Sequence, residues 1–115
     1  MKPKDGLTLL SQIESEQLLT ELIDQFNKDA HLSGIHQQIK STLDISVLLR
    51  QVHRFLMELM TKDFGAYVSF LYRVDVTERT LREIDDIDPE RIAEKVAFLV
   101  LQREWLKVSF RNKTR

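Results

Sequence analysis

Apolar residues along this chain recur at helical spacing, and the densest case is the stretch from Ile92 to Phe110. At about 100° per residue, Ile92, Val96, Leu99, Leu106 and Phe110 fall on one side of a helix. Ala97, Phe98, Leu101, Trp105 and Val108 fall on roughly the opposite side. A surface helix needs one apolar stripe, so a helix with two must be covered twice, by its own bundle or by a second subunit. The start of this element is explicit. Asp88-Pro89-Glu90 supplies a cap, a proline at the first helical position and an acid in the first turn. The pattern predicts a long final helix from Pro89 to about Phe110, with 111–115 as a frayed basic C-terminus.

Earlier segments read the same way. Leu18, Leu19, Leu22, Ile23 and Phe26 form the inner face of a first helix, with Glu16, Glu21, Asp24 and Gln25 outside. That helix is expected to begin near Ser11 or Ser15, the former spaced from Glu14 as in a capping box, and to stop at Gly34. Ile35, Ile39 and Leu43 suit a short second helix. Asp44 or Ser46 caps the next, whose apolar set is Val47, Leu48, Val52, Phe55, Leu56, Leu59 and Met60. Residues 64–76 carry strand formers and Gly65, yet Phe64, Tyr67, Val68, Leu71 and Tyr72 keep helical spacing after the potential cap Asp63. Helix is the better reading, because no second strand exists to pair with this one. Asp75 and Glu78 have capping-box spacing for a short helix through Leu81 and Ile84.

Composition agrees with these elements. Three glycines and two prolines in 115 residues leave few tight turns. A hydrophobic content of 43% with 30% charged residues is that of a folded domain. The expected architecture is all-α: a compact single-domain bundle of four to five helices over 11–110, with the long C-terminal helix packed on two sides and 1–10 as a mobile tail. Without cysteine there are no disulfides, thiolate ligands or cysteine nucleophiles. No signal peptide or apolar run long enough for a membrane span is read, so the expectation is a cytoplasmic protein with no membrane contact.

Candidate chemistry is sparse. His31, His36 and His53 lack the spacing of a metal site, so no metal and no cofactor are expected. Serine-nucleophile and phosphate-loop motifs are missing, and the reading is not an enzyme. Asp85, Asp86 and Asp88 sit where acids complement a helix N-terminus. Charge is asymmetric despite a net of −1: seven acids and two arginines from Asp75 to Glu90, then five bases and one acid from Arg103 to Arg115. Arg103, Lys107, Arg111 and Arg115 recur every fourth position. They form either a basic strip for a nucleic-acid backbone or ordinary partners of a helix C-terminus. Arg103 projects toward an apolar side and is expected to be partly covered by a carboxylate such as Glu83 or Asp86.

The leading functional expectation is a non-enzymatic protein–protein interaction or self-association module. Its interface residues would be Phe98, Leu101, Trp105 and Val108, and its partner another protein or a second copy in a homodimer. A nucleic-acid-associated regulator using the basic strip is the alternative. A weaker one is a small-molecule-binding helical domain with a pocket among Tyr67, Tyr72 and His53.

Overall fold

The computed structural model describes residues 16–113, which form five helices and, among themselves, no strand. In chain order these are α1 (Glu16–Leu32), α2 (Ile45–Lys62), α3 (Phe64–Val74), α4 (Glu78–Arg82) and α5 (Pro89–Lys113). None is long and apolar enough to cross a membrane. The expected start near Ser11 or Ser15 and the expected tail over 1–10 lie outside the described residues.

Local chemistry fixes the boundaries. α1 ends at a left-handed Gly34 (φ 81°), where Ile35 N–H returns to the Ala30 carbonyl at 3.0 Å. The Asp44 carboxylate accepts from Ser46 N–H at 2.9 Å and caps α2. Asp63 serves two helices: its N–H closes α2 on Leu59, and its carboxylate accepts from Ala66 N–H at 3.1 Å to open α3. The 64–74 segment is therefore helical, as its spacing predicts. α4 is capped by Thr77 rather than by the Asp75–Glu78 pair. Asp75 instead takes a left-handed conformation (φ 72°) that ends α3, and aspartate tolerates it better than most residues do.

One expected helix is not there. Residues 35–43 are non-helical, although Ile35 and Ile39 are buried as their apolar character requires. A spacing of four satisfies an extended segment as well as a helix, because it is twice the extended repeat of two and close to the helical turn of about 3.6 residues. Side-chain amides satisfy the backbone of this segment. Asn27 clamps Ile39, accepting from its N–H at 2.9 Å and donating to its carbonyl at 3.0 Å. Gln51 holds Lys40 by the same pair of contacts.

The core joins α1, α2 and α3 through Phe26, Phe55 and Phe70. Their centroids are 4.9 to 5.2 Å apart in edge-to-face arrangement. α5 packs against both α1 and α2, and α3 touches all three of its larger neighbours. The buried stripe of α5 does not follow either of the two predicted faces. It runs Ala93, Val96, Ala97, Val100, Leu101, Glu104 and Val108, between those faces. Ile92, Leu99, Phe98 and Trp105 flank it half-buried, and Leu106 and Phe110 are exposed. The helix also continues past Phe110: Arg111 and Asn112 are helical and bonded to Gln25 and Glu21, which corrects the expected fraying of 111–113.

Candidate functional site

Two features could carry function: a polar seam between α1 and α5, and an apolar face on α3 beside it. The seam arises because each helix places polar residues in its buried stripe. On α1 these are Gln25 and Asp29, among Leu22, Ile23, Phe26 and Ala30. On α5 it is Glu104, one turn from Val100, Leu101 and Val108, with no accessible surface. The apolar pattern of α1 predicts Gln25 on the outside, and no motif marks Asp29 or Glu104. The available signal was their register, since each falls where its stripe calls for an apolar residue.

One cation serves both acids. Lys107 Nζ donates to Asp29 Oδ2 at 2.8 Å and lies 3.4 Å from Glu104 Oε1. Gln25 Nε2 donates to the same Asp29 oxygen at 3.2 Å, and Arg111 Nη1 donates to Gln25 Oε1 at 3.0 Å. Neither Glu104 oxygen receives a hydrogen bond. Burial first, and then the Asp29 carboxylate beside it, push the Glu104 carboxyl up to about 9. It is held as a neutral acid that hydrogen-bonds to Asp29. Burial also resists ionisation of Asp29, but the hydrogen bonds from Glu104, Lys107 and Gln25 outweigh it and hold that carboxyl below its ordinary value. One proton and one ammonium thus balance two buried carboxyls.

This seam consumes the predicted basic strip. Lys107 and Arg111 turn inward to α1, and Arg103 Nη2 donates to Asp75 Oδ2 at 2.7 Å. Arg103 is partly covered and paired, as expected, but its partner is Asp75 and not Glu83 or Asp86. Asp86 pairs with Arg91 at 3.2 Å and Lys95 at 3.4 Å. Arg115 lies outside the described residues. Three of the four strip residues therefore face their own chain, and the nucleic-acid reading loses the row of free cations it rested on.

The predicted interface set also divides. Leu101 and Val108 have no accessible surface and belong to the chain's own core, so a second subunit cannot reach them. Phe98 and Trp105 remain half-buried at its edge. The three histidines stay apart in role: His31 and His36 are exposed, and His53 Nε2 lies 3.0 Å from the Glu90 carbonyl. No group of three or more potential metal ligands converges among the described residues. Tyr67 is buried and Tyr72 points into solvent, so the two do not share the pocket the sequence reading placed between them.

An exposed apolar row lies on α3. Phe64, Val68 and Tyr72 follow one another at one-turn intervals, 62%, 50% and 86% exposed, and Leu32 at the end of α1 stands beside them. Leu32, Ser33, Val68, Ser69, Tyr72 and Arg73 line an open groove of about 670 Å³. The groove abuts the seam: Ser33 Oγ donates to the Asp29 carbonyl at 2.8 Å, and Lys107 Nζ approaches the Arg73 carbonyl at 3.5 Å. A second groove of about 390 Å³ runs between residues 37–40 and α2, with the charged residues Arg50, Arg54 and Glu58 among its lining.

Fold and surface together define the class: an all-α bundle with a closed polar seam and an open apolar face on α3. Comparison with protein-family models, with curated proteins and with solved structures gives no match in any of the three.

Proposed function

We propose that this chain is a non-enzymatic interaction module that holds a protein partner against the exposed face of α3. One observation carries the reading: the exposed Leu32, Val68 and Tyr72 line a single groove, with the exposed Phe64 one turn before Val68 on the same helix, while the core of the same chain is closed around Phe26, Phe55 and Phe70. Exposed apolar side chains scattered singly are normal, whereas a contiguous group around a concavity is how a docking surface is built. The buried ionisable groups are instead spent on one another within the seam, where Glu104 is sealed from solvent. A cytoplasmic setting belongs to the same proposal, because a chain without cysteine gains nothing from an oxidising compartment.

Site-specific photo-crosslinking in cells tests it. A photoreactive residue at position 72 should yield discrete protein adducts, with either a second copy or another protein. The same residue at position 87, where Ile87 is 94% exposed but stands away from the groove, should not. Equal labelling at both positions, or none at 72, would overturn the proposal.

A further inference from the structure

The groove beside α2 is lined by charges that find no partner within the chain. Lys40 belongs to one wall, and Arg50 and Arg54 stand one turn apart on the other. Among the described residues, none of these three side chains takes part in an ion pair. Arg50 acts on the Asp44 carboxylate only through space, and that carboxylate is occupied in capping α2. Glu58, one turn beyond Arg54, is unpaired as well. Between the walls the groove is apolar, with Ile39 and Phe55 both buried.

The main chain of the first wall is open too. Ile39 turns its N–H and carbonyl to Asn27 of α1, whereas Lys40 turns its own to Gln51 of α2. Successive residues that face opposite sides mark an extended backbone, so Gln38 faces α2 as Lys40 does. Among the described residues, neither Gln37 nor Gln38 makes a hydrogen bond through main chain or side chain.

Spacing decides what fits. Arg50, Arg54 and Glu58 follow one another at four-residue steps, each a rise of about 6 Å along the helix. Alternate residues of an extended peptide are about 6.6 Å apart. A strand lying along α2 therefore offers every second side chain to these three residues in turn, and two acids followed by a base match their charges. Guanidinium groups hold carboxylates by charge-assisted, often bidentate bonds. The open edge at Gln38 adds main-chain bonds of the kind that capture extended peptides. A nucleic-acid backbone suits the groove less, because its few cations are broken by a carboxylate and its floor is apolar.

We infer that the α2 groove binds an extended acidic peptide of a partner protein, with alternate acids on Arg50 and Arg54 and a base on Glu58. It shares no lining residue with the α3 groove, so this second surface goes beyond the docking role proposed above and is tested separately.

Fluorescence anisotropy on the full chain provides that test, with a labelled peptide built on the core Asp-Val-Asp-Val-Lys. This peptide should bind, and its charge-reversed counterpart Lys-Val-Lys-Val-Asp should bind more weakly by about tenfold or more. Arg50→Ala and Arg54→Ala, both at exposed positions, should each weaken the acidic peptide about tenfold. Glu58→Lys should weaken it through the terminal lysine, and Tyr72→Ser on α3 should leave it unchanged. No binding of the acidic peptide, equal binding of both peptides, or arginine variants that match the wild type would overturn the assignment. An oligothymidine that displaces the peptide at lower concentration than the unlabelled peptide itself would make the groove a nucleic-acid site instead. Loss of binding in Tyr72→Ser but not in Arg54→Ala would move the peptide to α3 and overturn it equally.

Discussion

Lys107 stands between two buried carboxyls, and the proton shared by Asp29 and Glu104 makes that arrangement neutral enough to bury. A pH dependence with a definite sign follows. The folded chain keeps a proton on Glu104 that the unfolded chain releases above the ordinary value of 4.5. Stability from this group is complete below that value and is lost as pH rises toward about 9. Asp29, held low, acts in the opposite sense, contributing above its ordinary value of 3.8 and losing that contribution as pH falls. The urea midpoint should therefore decline through the window from 4.5 to about 9. Glu104→Gln, neutral at every pH, should flatten the decline; a wild-type midpoint that rises through this window would show that Glu104 is ionised in the fold. Lys107→Leu leaves the Asp29 carboxylate without its cation. It should cost about 2–3 kcal/mol in urea unfolding, below the range for fully buried pairs because the ammonium remains partly solvated. The basic strip was legible as a row of charges, but its direction was not. That direction depended on Gln25 and Asp29, acids and amides of a helix some 80 residues away, 78 for the Asp29–Lys107 contact.

Caps were the most legible features at the scale of elements, because a cap is a contact between near neighbours. Asp44, Asp63 and Gly34 each do what their spacing predicts. The 35–43 segment departs from its helical spacing because its bonds go to Asn27 and Gln51, amides on two other elements that local pattern does not register. The final helix shows another limit. Two apolar sides are visible in its sequence, but the buried direction lies between them, since α1 and α2 meet the helix from either side. Gly65 gives this scale its own prediction. Gly65→Ala should raise stability by up to about 0.5 kcal/mol, less than at a helix interior because Gly65 is in the first turn of α3, read by thermal or urea unfolding. A loss of stability would mean that the fold itself needs the glycine.

For the molecule as a whole, the all-α class and the long last helix packed against two others followed from periodicity and a low count of turn residues. The location of the open face did not. Phe64, Val68 and Tyr72 have the spacing of a core stripe, and only the packing of α3 through Tyr67, Phe70, Leu71 and Val74 turns them outward. Leu106 and Phe110, exposed one turn apart on α5, are the competing apolar pair. The most direct measurement is photo-crosslinking in cells from one apolar surface position at a time. The account predicts discrete adducts confined to positions 32, 68 and 72 around the α3 groove. Adducts centred on Phe98 and Trp105, or on Leu106 and Phe110, or none at the α3 positions, would contradict it.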